Sequence, residues 1–165
     1  MSPKRSPTVS HSSMNSTITT SNPDETFELG ASIGSTLNGG EMVLLTGGLG
    51  AGKTLLTKGI LSALDFDVDE VTSPSFALVN LYKTERFDVF HIDLWRSETG
   101  AHAAFDVGLH EILEDESSVV IIEWAERLGP IEFDRPVVRV DISGDGDEPR
   151  AIRIIRSEQI PTASV

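Results

Sequence analysis

The 165-residue chain contains no cysteine. Disulfide bridges, a thiolate nucleophile and zinc or iron–sulfur sites with cysteine ligands are therefore excluded. The sequence also lacks an apolar run of the roughly 20 residues that a membrane-spanning helix needs, and its first residues do not follow the charged-then-apolar order of a signal peptide. We therefore expect a soluble protein of the cytoplasm.

Positive charge is scarce as well. The chain has 13 Lys and Arg residues against 26 Asp and Glu residues, which gives a formal net charge of −13. Binding along a nucleic acid requires positive side chains that neutralise many phosphates. We therefore expect no extensive surface for direct nucleic-acid binding, and we interpret most of the acids as solvated surface residues.

The N-terminal stretch differs in composition from the rest of the chain. Residues 1–21 are rich in Ser and Thr, contain no acid and have almost no large apolar side chain, so we predict a disordered tail. Residues 22–158 have the size and composition of one domain, and residues 159–165 are interpreted as a C-terminal tail. Order is predicted to begin with a helix at Asn22, Pro23 and Glu25, because these residue types favour a capped helix start.

Strand and helix patterns are mixed along the whole domain, which predicts the α/β class. A buried strand is followed by a glycine loop and a helix over 53–64, and a short helix is predicted over 109–113. The second and third predicted strands form a hairpin, and the last two form a closing pair. The predicted strands cover 42–45, 76–82, 87–94, 119–122, 137–142 and 151–155.

The glycine loop, GGLGAGKT, matches the phosphate-binding pattern G-x-x-x-x-G-K-[ST] in full. Gly47, Gly50 and Gly52 would adopt positive φ and let backbone N–H groups surround a phosphate at a helix N-terminus. Lys53 would then bridge the β- and γ-phosphates, and the Thr54 hydroxyl would bind Mg²⁺. The pattern predicts ATP and Mg²⁺ as cofactors, and a P-loop NTPase-like, mostly parallel sheet flanked by helices with added antiparallel strands.

Two acids stand at the ends of predicted strands. Glu123 ends the aliphatic run VVIIE, and Asp93 follows His91 by two positions in FHIDLWR, so His91 and Asp93 share one face of their strand. An isolated acid at such a place is usually solvated, but the C-terminal edge of an open α/β sheet is where ligands bind. Beside a P-loop these acids become candidates for holding Mg²⁺ and placing the attacking water, and the residues alone do not decide between them.

Two further features remain open on the residues alone. The stretch from Thr72 to Ser75 offers three hydroxyls around a proline, which suits either a switch that senses the γ-phosphate or a plain turn. Trp124 directly follows Glu123, and it either packs in the core or closes the site and reports the nucleotide state to a partner.

Four segments follow one another along the chain, which are GGLGAGKT, SPSFALVNLY, FHIDLWR and IIEWAERL. Together and in this order they resemble the TsaE family of bacterial ATPases, which are required for threonylcarbamoyladenosine modification of tRNA. The resemblance implies a P-loop ATPase that supports repeated cycles of a tRNA threonylcarbamoyl transferase subunit and its non-catalytic relative. It also implies that the chain does not itself transfer threonylcarbamoyl to adenosine 37. The P-loop is common to many families, whereas the other three segments are more specific.

The resemblance also implies roles for individual residues. Lys53, Asp93 and Glu123 would be catalytic, and Thr54 and Glu123 would bind the metal. Ser73, Ser75 and Trp124 would form the switch or contact a partner. The residues expected to bind the nucleotide are Pro23, Gly50, Ala51, Gly52, Lys53, Thr54, Leu55 and Arg150. The chain departs from the family pattern at Gly48, Ser75 and Trp95, none of which removes a phosphate or metal ligand.

Three other functions are compatible with a P-loop. A small-molecule phosphotransferase needs paired arginines in a lid, whereas Arg96, Arg127 and Arg135 are isolated in the sequence. A GTPase is disfavoured because no N-K-x-D follows to read guanine. A regulatory module that holds ATP without turnover differs from an ATPase in releasing no phosphate when its partner proteins are added.

Overall fold

One seven-stranded sheet runs through the part of the chain that the computed structural model describes, which is residues 14–74, 78–96 and 101–157. The strands are β1 (Met14–Thr20), β2 (Met42–Gly47), β3 (Val79–Lys83), β4 (Asp88–Asp93), β5 (Val119–Glu123), β6 (Val137–Ser143) and β7 (Arg150–Ser157). The helices are α1 (Pro23–Gly34), α2 (Lys53–Ser62), α3 (Ala101–Asp106) and α4 (Leu109–Ile112), with 3₁₀ turns at Val68–Glu70 and Ala125–Leu128.

The strand order is β1-β7-β6-β2-β5-β4-β3. The central strands β6, β2, β5 and β4 are parallel to their neighbours in this group. On one side β7 and β1 add antiparallel pairs, and on the other side β3 forms the predicted hairpin with β4. The predicted α/β class, with a parallel centre and added antiparallel strands, is confirmed.

The prediction of disorder over residues 1–21 is wrong for Met14–Thr20. These residues form β1, which pairs antiparallel with β7 so that Ile18 lies opposite Ile152. The buried Thr20 and Thr26 hydroxyls are 2.8 Å apart and join the strand to α1. The low hydrophobicity that predicted disorder does not prevent a β-branched segment from pairing its backbone with an edge strand. Residues 1–13 and 159–165 lie outside the described residues.

The sheet is covered on both faces, and β5 supplies side chains to both cores. Val119 and Ile121 pack in the cluster that contains α1 and α2, whereas Val120 and Ile122 pack in the cluster beside α3 and α4. A strand buried on both faces has the continuous apolar sequence seen here. None of the helices in the described ranges combines the length and the apolar character of a membrane-spanning segment.

Helices α1 and α2 pack closely through glycines. The start of α1 is the predicted one, since the Asn22 side chain accepts a hydrogen bond from Glu25 N at 2.9 Å and Pro23 is the first helical residue. A Cβ at Gly30 would lie 2.3 Å from Leu56 O, and one at Gly59 would lie 2.1 Å from Phe27 O. The position of α2, which begins at the glycine loop, therefore depends on the absence of side chains at this contact.

We expect Gly59→Ala to lower the free energy of unfolding by about 2–3 kcal/mol, because a methyl group there overlaps a backbone carbonyl that cannot rotate away. For a domain of this size the melting temperature should fall by roughly 5–10 °C. Gly48→Ala is the matched control, since a Cβ at Gly48 meets nothing within 4 Å. Equal melting temperatures for the two variants in a thermal unfolding scan would contradict this account of the helix contact.

Candidate nucleotide site

The glycine loop lies at the centre of the sheet, between the end of β2 and the start of α2. Gly47, Gly50 and Gly52 have φ values of 151°, 76° and 114°, so the positive φ predicted at all three positions is confirmed. The chain can therefore turn sharply out of the sheet and into α2. The first backbone N–H groups of a helix have no partner within the helix, which makes this end a suitable site for a phosphate.

The Lys53 ammonium is held inside the loop. Its Nζ donates hydrogen bonds to Gly47 O at 2.7 Å and to Gly48 O at 2.8 Å, and it lies 3.9 Å from the centre of the Trp124 ring. The residue is only 5% exposed. Two carbonyls and an aromatic face together hold the ammonium inside the loop.

Burial lowers the pKa of the Lys53 ammonium below the ordinary lysine value. The carboxylates of Glu123, Glu126 and Asp93 act in the opposite direction through their negative charge. The lysine therefore lies in a negative field that offsets part of the effect of burial on its ammonium. An incoming polyphosphate would add negative charge to the same field.

Glu123 lies beside the glycine loop because β5 pairs with β2 and places it opposite Leu45. The residue is 2% exposed, and its Oε1 accepts a hydrogen bond from Thr54 Oγ1 at 2.9 Å. A hydroxyl and a carboxylate are oxygen donors of the kind that Mg²⁺ prefers, so the pair fits this ion. Over the described ranges no group of three His, Cys, Asp or Glu side chains is arranged to hold a metal ion alone.

The second carboxylate oxygen of Glu123 contacts His91. Oε2 is hydrogen-bonded to His91 Nε2, and His91 Nδ1 lies 3.3 Å from the Tyr82 hydroxyl. The Tyr82 hydroxyl in turn donates to Thr72 O at 3.2 Å. Sequence reasoning placed His91 beside Asp93 on one strand face but did not connect it with Glu123 or Tyr82. That connection depends on the pairing of β3, β4 and β5.

Asp93 occupies the adjacent position on β4, opposite Glu123 in the strand register. Its Oδ2 accepts a hydrogen bond from Ser73 Oγ at 2.9 Å, and its Oδ1 accepts one from Trp95 N at 2.8 Å. The structure thus brings the predicted acid and the predicted turn together. Ser75, the other hydroxyl assigned to this turn, lies outside the described residues.

Trp124 adopts a left-handed backbone conformation, with φ 60° and ψ 40°, which is rare for a bulky residue and is found where surrounding contacts enforce it. This turn directs the ring over Lys53, and the Trp95 ring lies against it with centroids 4.3 Å apart. Trp124 also packs against the core beside α3 and α4. Both roles that the sequence left open are therefore compatible with its position.

The predicted residues line two adjoining cavities. A cavity of about 390 Å³ is bordered by Ser73, by the strand-end residues Asp93, Glu123 and Trp124, and by residues of the glycine loop and the start of α2, which are Leu49, Gly50, Gly52, Lys53, Thr54 and Leu55. A cavity of about 380 Å³ lies on the other side of the loop and is lined by Pro23, Ala51 and Arg150, together with Asn22, Asp147 and Glu148, which were not predicted. Gly50, Gly52 and Leu55 border both cavities.

Arg150 binds the glycine loop on the side of the second cavity. Its Nε donates to Ala51 O at 3.0 Å, and its Nη2 donates to Gly146 O at 2.9 Å and to Gly50 O at 3.4 Å. Its Nη1 donates to Glu148 O. The guanidinium thereby connects the turn between β6 and β7 with the glycine loop, a structural role that sequence reasoning did not identify.

Known proteins are similar to this chain in fold and in sequence. The crystal structure of Bacillus subtilis YdiB superposes with a TM-score of 0.69 and 26% identity, over 90% of this chain and 89% of YdiB. A TsaE protein of Nostoc is 37% identical over 106 residues, which are 64% of this chain and 65% of that protein. A TsaE protein of Aquifex aeolicus is 32% identical over 134 residues, which are 81% of this chain and 90% of that protein.

The Nostoc and Aquifex aeolicus proteins are both named tRNA threonylcarbamoyladenosine biosynthesis protein TsaE. The family model described as "Threonylcarbamoyl adenosine biosynthesis protein TsaE" matches residues 20–152. This range contains the glycine loop, both strand-end acids and Arg150. The chain therefore belongs to the TsaE family.

Proposed function

We propose that the chain binds and hydrolyses ATP with Mg²⁺ and thereby supports the threonylcarbamoyladenosine modification of tRNA. The observation that carries this proposal is the contact of Thr54 Oγ1 with Glu123 Oε1 at 2.9 Å, directly beside the buried Lys53. It combines the phosphate-binding loop with a carboxylate at the edge of the sheet where ligands of open α/β folds bind. Family membership supplies the link to tRNA modification.

In this proposal the residues at the start of α2 bind the phosphates. The N–H groups of the glycine loop and the Lys53 ammonium would contact the β- and γ-phosphate oxygens. Thr54 and Glu123 would hold Mg²⁺, which supplies positive charge where phosphate charge develops during hydrolysis. Lys53 would exchange its contacts with Gly47 O and Gly48 O for phosphate oxygens.

Asp93 is proposed to orient the attacking water or the turn that contains Ser73. The hydrogen bond of Asp93 to Ser73 at 2.9 Å supports this role, because it connects the acid to a hydroxyl that also borders the cavity. Glu123 is then the metal-side acid and Asp93 the acid that acts on water or on the turn. The direct contact of Thr54 with Glu123 favours this division of roles.

The second cavity is the proposed site of the nucleoside part of ATP. Pro23, Asn22 and Arg150 border it, and it adjoins the phosphate side through Gly50 and Gly52. Arg150 is directed at backbone carbonyls, so its proposed contribution is to position the loop beside the nucleotide.

The proposed partners are a tRNA threonylcarbamoyl transferase subunit and its non-catalytic relative. The family match over residues 20–152 favours an ATPase that serves such a complex over a small-molecule phosphotransferase. The chain would supply the energy of ATP to the complex, and the transfer of threonylcarbamoyl would occur on the partner.

We expect Lys53→Ala to abolish measurable Mg²⁺-dependent ATP binding, because the variant removes the ammonium that meets the phosphates. Isothermal calorimetry at fixed Mg²⁺ measures this loss. Lys83→Ala, which changes an exposed lysine on β3, is the control and should bind as the wild type does. Unchanged affinity in Lys53→Ala would refute the assignment of the phosphate site.

We expect Glu123→Gln and Asp93→Asn to leave ATP binding measurable but to slow hydrolysis at least tenfold, equivalent to about 1.4 kcal/mol of barrier. Each change keeps the size of the side chain and removes its charge. Phosphate release is measured with and without the two partner proteins, with the exposed Glu114→Gln as the control. Wild-type turnover in both acid variants would refute the catalytic roles of Glu123 and Asp93. If the wild-type chain releases no phosphate with or without the partner proteins, the result would favour a module that holds ATP without hydrolysing it.

We expect the chain to restore threonylcarbamoyladenosine in a bacterial strain depleted of its own TsaE protein. Mass spectrometry of nucleosides from digested tRNA measures the recovery, with the Lys53→Ala variant as the negative control. No recovery by a well-expressed wild-type chain would count against the proposed function.

A further inference from the structure

A buried line of side chains runs from the proposed metal site to the backbone of a turn. It begins at Glu123 Oε2, passes through both ring nitrogens of His91 and reaches the Tyr82 hydroxyl, which donates to Thr72 O. His91 is fully buried and Tyr82 is 6% exposed. Burial of polar side chains is costly unless they are hydrogen-bonded, and each side chain of this line has at least one polar partner.

Each oxygen of the Glu123 carboxylate has its own partner. Oε1 accepts from Thr54 Oγ1, and Oε2 is bound to His91 Nε2. With one oxygen fixed at each side, rotation of the carboxylate about its last bond is blocked. Without His91, Oε2 would be a buried acceptor with its partner removed, and the carboxylate would turn to seek another.

The far end of the line is fixed as well. Asn80 Nδ2 donates to Thr72 O and to the Tyr82 hydroxyl, at 3.2 Å in each case. The next residue of the turn, Ser73, donates to Asp93. Two adjacent residues of one turn are therefore joined to the two acids of the site, Thr72 to Glu123 through two side chains and Ser73 to Asp93 directly.

We propose that His91 is a positioning residue which holds Glu123 in its metal-binding orientation, and that Tyr82 joins this pair to the turn at Thr72. The proposal deepens the function proposed above and rests on it, because Glu123 is taken as the metal-side acid. Partners of this kind behind a metal ligand fix its orientation, and their loss weakens metal binding about 10–100-fold.

The contacts of the two ring nitrogens of His91 can be tested separately by two substitutions that introduce an amide side chain. His91→Gln places an N–H near the position of Nε2 and can still donate to Glu123. His91→Asn places an amide near the position of Nδ1, so it retains the Tyr82 side and loses the Glu123 side. Both variants remove the ring from the same buried place, which matches them for the packing defect, and circular dichroism and thermal unfolding check that both are folded.

The measurement is the Mg²⁺ concentration that gives half-maximal ATP binding, followed by the fluorescence of the chain's two tryptophans, Trp95 and Trp124. Both rings lie at the first cavity, so binding should change their emission. His91→Asn should raise this Mg²⁺ concentration at least tenfold, whereas His91→Gln should stay within about threefold of the wild type. Calorimetry repeats the titration independently of fluorescence.

The other outcomes overturn the proposal in distinguishable ways. Equal weakening in both variants would make His91 a packing residue, and wild-type values in both would show that Glu123 needs no such partner. A wild-type chain whose ATP binding does not depend on Mg²⁺ would refute the proposed function itself, and with it the metal-side role of Glu123.

Tyr82→Phe tests the connection to the turn while keeping the ring in place. The variant should raise hydrogen–deuterium exchange in peptides that contain Thr72 and Ser73 at least fivefold, with the Mg²⁺ requirement within about threefold of the wild type. Lys83→Ala on the same strand is the control. Unchanged exchange in Tyr82→Phe would remove Tyr82 and the turn from the proposal.

Discussion

The hydrogen bond of Thr54 Oγ1 to Glu123 Oε1 joins the first turn of α2 to the end of β5. It exists because β5 is the direct neighbour of β2, so the acid that ends one strand lies beside the loop that leaves the other. A strand buried on both faces can end in an acid only where polar groups form hydrogen bonds with the carboxylate. The sheet order therefore both permits this carboxylate and directs it into the site.

Four buried ionisable side chains cluster at this edge, namely Lys53, His91, Asp93 and Glu123, and each has partners among the described residues. Lys53 meets loop carbonyls and the Trp124 ring, Glu123 meets Thr54 and His91, and Asp93 meets Ser73. The strained backbone of Trp124 belongs to the same arrangement, because it lets the ring cover the ammonium. A site whose side chains are already in place needs little reorganisation when the ligand binds.

Local features were predictable from the sequence, and contacts between strands were not. The capped start at Asn22 and the positive φ values of the glycine loop follow from neighbouring residue types, and the structure has both. Strand β1 was missed because its order depends on pairing with β7, which lies far along the chain. The contact of His91 with Glu123 was missed for the same reason, since it requires the register of β4 against β5.

The most direct test of the central claim is a crystal structure of the chain with Mg²⁺ and a non-hydrolysable ATP analogue. We expect Mg²⁺ to be bound by the Thr54 hydroxyl and by phosphate oxygens, with the Glu123 carboxylate touching the ion or one of its waters. Lys53 should have left the carbonyls of Gly47 and Gly48 for the phosphates. Mg²⁺ held by Asp93, with Glu123 turned away from the ion, would contradict it.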